Sequence, residues 1–440
     1  DRRDEDGVAA TPLIARYTEH NCGPFPGFLT RSLAGLPAGF TVEQSRKAYC
    51  GELKAPSGPI AINNVLPVAS LGKTKLDDHH LELDQTLTAG TLEWSFMNGH
   101  TLTAIASQQE HGIISLQDFE RAPEDRYQAF VDTQQTQDSY ELRVTSPGEG
   151  KFDWIVGVAR LEATFSTIGA FINGTLFGAT AGGPAAASLN PARSGSKTDS
   201  IFGSLGYDLT EALNVSIEAR RQKDIITSGI GLSTQFDVET TATLPRFLLR
   251  YTLNDETNLY ANYAKGNQPT QGYATFFQLT PAQQAIALKN GVSSTAPEAE
   301  VENIEFGIKH RAADGSWYLN ASVYYLEWIG RQGVRTIQVD LNGDGVITNL
   351  PAPAGENFNA VPFAAGDSNT RGLEVDGAVS LTDKLTFGGS LAYADTEITK
   401  ALNEALPLRF FGKTDAKGFK FPLVPDFSGA LFLRDESNLS

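Results

Sequence analysis

The chain has 440 residues, with 52 Asp and Glu against 35 Lys and Arg, so its formal net charge is −17. That balance argues against a nucleic-acid partner, which requires basic patches to neutralise phosphate. An apolar fraction of 41% with 42 Gly and 13 Tyr excludes a disordered polyelectrolyte. No run of about 18 apolar residues occurs, so no membrane helix is expected. The mean hydropathy of −0.22 does not settle solubility. A membrane barrel alternates lipid-facing and lumen-facing residues and averages to a polar value. The chain opens on Asp1-Arg2-Arg3 without an initiating Met or a signal peptide, and is expected to be a fragment or a processed product.

Alternation with period two, the signature of a strand, begins clearly at Ser139–Thr145. Tyr140, Leu142 and Val144 share one face, and Glu141 and Arg143 the other. After the turn at Ser146–Gly150, Phe152, Trp154, Val156 and Val158 form the apolar face of the next strand. The same hairpin recurs around Thr210-Glu211-Ala212, Asn254-Asp255-Glu256, Ala313-Asp314-Gly315 and Thr382-Asp383-Lys384. At the opposite ends the connections are long, near 166–195, 267–298, 330–367 and 399–416, and rich in Gly, Pro, Ala, Asn and Thr. Short turns at one rim and long loops at the other are the asymmetry of transmembrane barrels. A sandwich mixes loop lengths at both ends. From Trp317 to Tyr325 the strand runs about 26 Å at roughly 3.3 Å per residue. Tilted by about 40° it covers roughly 20 Å, near the ~25 Å apolar band of a barrel. An aromatic at each end fits the two interfacial belts.

Several of these segments resemble TonB-dependent outer-membrane receptors. Leu259-Tyr260-Ala261-Asn262-Tyr263-Ala264-Lys265-Gly266 is similar to an aromatic-Lys-Gly strand end of that family. Glu302–Lys309 with Asp314-Gly315 and Leu319–Tyr325 is similar too, as is Arg371–Asp376 with Thr382–Thr386. Ser139–Val144 matches an earlier strand. The resemblance covers about 137 to 434; the region before about 75 matches nothing. It implies an all-β fold, a transmembrane antiparallel β-barrel of about 22 strands with a plug in its lumen. About 14 strands are expected here, so residues 1–440 read as a partial outer-membrane barrel domain with long extracellular loops. Neither a plug, nor an energy-coupling box, nor the family's final strand is visible.

The implied function is a receptor and transporter in the bacterial outer membrane. A ferric siderophore is the commonest cargo, with haem, cobalamin and oligosaccharides open. Partners would be the inner-membrane TonB complex, reached through a segment absent here, and outer-membrane lipid. A monomer is expected. Lumen-facing Glu141, Arg143, Glu218, Arg220, Glu305, Lys309, Glu374 and Asp376, with Arg250, Asn258 and Asn262, would hydrogen-bond the plug. The alternatives are a passive pore, which would need a closed barrel of about 16–18 strands without a plug, and an outer-membrane hydrolase. No nucleophile, base and orienter set is legible, so no enzyme is expected.

Other motifs are weaker. Adjacent His79 and His80 face opposite sides of a strand and cannot easily share an ion. Gly72-Lys73-Thr74 and Gly412-Lys413-Thr414 lack the upstream glycine of a phosphate loop, which Pro67 and Pro407 replace. Asp340, Asn342 and Asp344 followed by Gly345 resemble the first half of a calcium loop. Position 12 is Pro351 rather than a bidentate Glu, so a calcium site and a plain acidic turn both stand. No other cofactor is expected. Cys22 and Cys50 are the only cysteines; in an exported chain an even pair suggests a disulfide, with two free thiols as the alternative. If they are bridged, alkylation of the protein should require prior reduction, and closing that loop should stabilise it by roughly 3.5 kcal/mol. Labelling at full rate without reductant excludes the bridge.

Overall fold

The structure is a computed structural model. It describes residues 2–6, 80–118, 127–148, 150–173, 192–230, 234–345, 347, 352, 355–401, 416–421 and 424–436. Cys22, Cys50, His79 and Pro351 lie outside the described residues.

Among the described residues fourteen strands form one antiparallel sheet, each hydrogen-bonded to the next in chain order. They are β1 (Arg2–Asp6), β2 (His80–Phe96), β3 (His100–Asp118), β4 (Tyr127–Thr145), β5 (Phe152–Asn173), β6 (Ala192–Asp208), β7 (Leu213–Ile230), β8 (Thr234–Asn254), β9 (Thr257–Gln268), β12 (Ala299–Arg311), β13 (Trp317–Gln338), β14 (Asn357–Ser380), β15 (Leu385–Ala401) and β16 (Phe427–Asp435). Between β9 and β12 lie a two-stranded pair, β10 (Gln271–Gly272) and β11 (Thr295–Ala296), and two helices, α1 (Ala274–Phe277) and α2 (Pro281–Lys289). The strand count expected from sequence is met.

Because neighbours are antiparallel, the tight turns all fall on one rim. Their first residues close them with side chains. The Thr210 hydroxyl accepts from the amides of Ala212 and Leu213, at 3.2 and 3.0 Å, and Thr382 does the same for Lys384 and Leu385. Asn254 accepts from Glu256 N–H. Asp314 accepts from the amide and hydroxyl of Ser316, which hold its carboxyl below the usual carboxylate range. Such side-chain closure is why Thr, Asn and Asp start turns.

The opposite rim differs from the sequence reading. Residues 166–173 continue β5, 192–195 open β6, and 330–338 and 357–367 belong to β13 and β14. Apolar alternation marks only the stretch that meets lipid. Backbone pairing continues past it, where no lipid imposes strict alternation.

One face carries the exposed apolar side chains. Leu142, Val158, Phe247, Phe306, Val323 and Leu391 are all at least 40% exposed. Aromatics sit at both margins: Trp94, Phe152, Tyr207, Tyr251 and Trp317 beside the turns, and Tyr140, Tyr325 and Phe427 toward the other rim. The register shows how the strands slope between these margins. One unbroken ladder row links Phe152, Tyr207, Val215, Leu249, Ala261, Phe306, Val323, Leu373, Tyr393 and Phe427. It starts in the turn-side belt and ends in the far one. Roughly nine strand spacings of about 4.8 Å, climbing at a tilt of about 40°, rise about 28 Å. That agrees with the ~25 Å apolar band of a membrane barrel.

Val323 lies on the apolar face between the aromatic ends of β13 and is 49% exposed. Val323→Arg should therefore cost roughly 1–3 kcal/mol in a bilayer, between the midplane and interface values. Ser322→Arg, on the polar face, should cost far less. Equal losses in denaturant titrations of the membrane-inserted protein would refute the facing assignment.

Candidate functional site: the polar face and its folded cap

The parity that sends Leu259, Ala261 and Tyr263 outward sends Asn258, Tyr260 and Asn262 to the other face, and the same rule operates on every strand. There, polar side chains pair across strands. Glu141 accepts from Arg143 at 2.8 Å. Arg246 joins Glu218, at 3.3 Å, to Asn262, at 2.9 Å. The Tyr260 hydroxyl donates to Glu305, and the Lys309 ammonium lies 5.7 Å from the Tyr260 ring centre. Asn320 donates to Asp376 at 3.0 Å. Glu374 is the ladder partner of Ser322, and Asn258 accepts from Thr252. The Arg220 Nε is buried without a hydrogen-bond partner among the described residues. Of the sequence candidates, the structure thus brings Glu305 and Lys309 together around Tyr260, leaves Glu141 with Arg143 on their own strand, and links Glu218 to an arginine not singled out from sequence.

Four glycines make room for aromatic rings directly across the ladder. Gly157 lies under Phe202, Gly307 under Tyr260, Gly372 under Tyr324 and Gly388 under Phe432. A Cβ at Gly372 would fall 2.1 Å from Tyr324 Cζ. The ring lies flat over the glycine backbone and covers ladder atoms that a glycine leaves bare, the device known as aromatic rescue.

Above the apolar band the segment between β9 and β12 folds inward as a cap. α2 starts with a capping box, in which Thr280 accepts from Gln283 N–H and Gln283 accepts from Thr280 N–H, with Pro281 in the first turn. Tyr273, Phe276, Leu279, Ala287 and Val292 of the cap bury themselves against Val339, Leu341, Phe358 and Val361 from the β13–β14 end. The Phe277 ring stacks on Phe236 of β8 at 4.4 Å, and Thr270 N–H donates to Thr240. On the other side Gln332 donates to the carbonyls of Pro269 and Pro297, at 2.9 and 2.7 Å. Arg335 donates to the Gly291 carbonyl at 2.8 Å, with its guanidinium 4.8 Å from the Phe363 ring centre. Tyr273 OH donates to Asn359 O, and burial pushes its phenol up. The cap therefore bridges from β7–β8 to β13–β14 on the polar side. A buried polar chain supports it: Thr198 and Gln222 donate to Asp224, Gln222 donates to Asn267, and Asn267 donates to Glu298.

The acidic turn is closed by its own side chains. The carboxylate of Asp340 accepts from the amides of Gly343 and Gly345, at 2.6 and 2.8 Å, and Asn342 accepts from Asp344 N–H. Gly343 and Gly345 hold φ of 75° and 79°, which those turns require. No cluster of three or more His, Cys, Asp or Glu placed to hold a metal ion occurs among the described residues.

Sequence reasoning missed Tyr260, Tyr324, Asp224, Arg246 and the cap contacts of Gln332 and Arg335. Parity alone could have found the two tyrosines, since both are out of step with the outward residues of their strands. Nothing local marks the cap contacts.

A family model described as TonB dependent receptor-like, beta-barrel, matches residues 30–439. The chain belongs to the TonB-dependent receptor family. Its fold is similar to the ferric yersiniabactin uptake receptor of Yersinia pestis, at 14% identity and a TM-score of 0.57, with 81% of this chain and 48% of that one covered. It is likewise similar to the ferripyoverdine receptor of Pseudomonas aeruginosa, at 14% identity and a TM-score of 0.55, covering 81% and 44%. The ferric preacinetobactin receptor of Acinetobacter baumannii gives 14% identity and a TM-score of 0.54, covering 82% and 50%. This chain thus spans about half the length of those receptors. No curated protein matches it. Within a receptor barrel the polar face is the lumen wall, and the cap stands at its mouth.

Gly372→Val should destabilise the barrel by about 1–3 kcal/mol through overpacking against Tyr324. Tyr324→Ala in the same protein should return most of that loss. Thermal unfolding of the two single variants and the double checks it; additive losses would refute the ring-on-glycine contact.

Proposed function

We propose that this chain forms the barrel wall of an outer-membrane receptor that takes up a scarce ligand, with energy supplied by the inner-membrane TonB complex. A ferric siderophore is the cargo this reading favours. The observation that carries it is the cap. A passive pore works through an unobstructed lumen, whereas here a folded segment with its own apolar core reaches from β7–β8 to β13–β14 across the polar side. The lumen lattice of Glu218, Arg246, Glu305, Lys309 and Asp376 supports the same reading, because paired polar groups suit a wall packed against a polar plug better than a free water column. The inward cation Arg335, and Arg331 over the Phe421 ring at 5.5 Å, lie where an anionic, aromatic-bearing chelate would arrive. Asp340, Asn342 and Asp344 sit at that rim as ligand-facing candidates, and a calcium ion at this turn remains part of the proposal. The three receptors named above are described by what they take up; their cargo is not thereby this chain's.

The test uses the protein expressed from its complete gene in cells lacking other siderophore receptors. Uptake of iron-labelled siderophores should require this protein and should stop when the proton-motive force is collapsed. Arg331→Gln with Arg335→Gln should weaken binding about tenfold, the worth of one charge-assisted hydrogen bond. Ligand passage that continues unchanged in de-energised cells would favour the passive pore.

A further inference from the structure

We propose that the outward face of β2–β8 carries a binding site for an anionic phospholipid. A shallow, open groove of about 1160 Å³ runs along that face and is lined almost entirely by apolar atoms. Two adjacent ladder rows build it. One runs Leu92, Ala104, Leu142, Val158, Ile201 and ends at Arg221; the other runs Gly90, Ala106, Tyr140, Arg160 and ends at Asp199 and Lys223. Gly90, Ala104 and Ala106 form the floor, and the larger side chains rise on either side. All of these positions have outward parity, and Leu92, Leu142, Val158 and Ile201 are exposed. The occupant is therefore something from the bilayer.

The charged end fixes its chemistry. Phe152 to Arg160 and Leu213 to Arg221 are each the same number of strand steps as Trp317 to Tyr325. The cations therefore stand at the far margin of the apolar band, where headgroups lie. A chain of net charge −17 places Arg160, Arg221 and Lys223 together there. Carboxylates pair with two of the three and leave Arg221. Asp199 is taken by Arg160 at 2.5 Å and Glu239 by Lys223 at 2.9 Å, while Glu162 stands two residues beyond Arg160, opposite Lys197 in the ladder. Arg221 donates to a neutral partner, the Thr243 hydroxyl, at 3.0 Å. A cation at a membrane edge with only a hydroxyl for company favours an anionic headgroup, worth about 1 kcal/mol per such residue. Guanidinium is suited to phosphate in particular. Acyl chains would lie on the floor of small residues and the phosphate against Arg221, with the Glu239-paired Lys223 beside it. This proposal rests on the family's membrane setting and not on the cargo.

The test uses the protein expressed from its complete gene and purified in detergent. Native mass spectrometry follows its titration with phosphatidylglycerol and, separately, with phosphatidylcholine of the same chain length. The wild type should retain phosphatidylglycerol at about tenfold lower concentration. Arg221→Gln with Lys223→Gln should abolish that preference, and Ala106→Phe, which fills the floor, should reduce retention of both lipids. Lys384→Gln, on the opposite rim, should change neither. Absence of a headgroup preference in the wild type, or its survival in the double variant, overturns the site. Displacement of phosphatidylglycerol by an equal concentration of inorganic phosphate overturns the lipid assignment, because the site would then read a free anion.

Discussion

Hydrocarbon offers no hydrogen bonds, so every backbone N–H and C=O that enters a membrane must find its partner inside the protein. A sheet meets that demand only by pairing each strand with its neighbours on both sides, and here the pairing runs without a change of order through fourteen strands. Once the backbone is fixed in this way, the side chains have two faces to occupy and two media to meet. The outward apolar belt and the inward polar lattice are consequences of one ladder. So is the placement of turns on one rim, since strict neighbour pairing leaves each hairpin no other direction.

The inner face adds its own requirement. Its polar groups must be satisfied either by one another or by whatever fills the lumen, because an unpaired buried polar group costs about 1–3 kcal/mol. Arg246 with Glu218 and Asn262, and Tyr260 with Glu305, satisfy themselves within the wall. Arg220 does not complete its set. At the mouth the cap brings apolar surface to the polar side and buries it against β13–β14, so that this end is held by packing as well as by hydrogen bonds. The proposed binding surface lies where a rigid wall meets an irregular segment, the usual division between scaffold and binding surface.

How much of this could be read beforehand depended on physical range. The strands around Val323 and Leu142 were legible because lipid on one side imposes period two over eight or more residues. Turns such as Thr382-Asp383-Lys384 were legible because their closure is local. The extension of β13 to Gln338 was not, because above the bilayer neither face is forced to be apolar and the pattern fades while the hydrogen bonds continue. The cap was located as a long loop between 267 and 298 but its fold was hidden: α2 is short, and its partners Phe236, Gly291's contact Arg335, and Phe358 are distant in sequence. In the sequence Tyr260 belongs to an aromatic strand motif, whereas its parity places it over Gly307. The cysteine pair belongs to a segment on which neither pattern nor geometry bears.

The oblique ladder row from Phe152 to Phe427 has a consequence for how the wall responds to its surroundings. Two residues on one row are joined through successive backbone pairs yet sit at opposite membrane margins, so depth changes steadily around the wall. A thinner bilayer would uncover one margin along its whole circumference, but the residues exposed would come from the middle of some strands and the ends of others. Hydrophobic mismatch would then be spread over the whole wall rather than loaded on any single hairpin. Because the register fixes the strand tilt, the bilayer does the adjusting, thinning or thickening along that margin at a cost of fractions of a kcal/mol per Å.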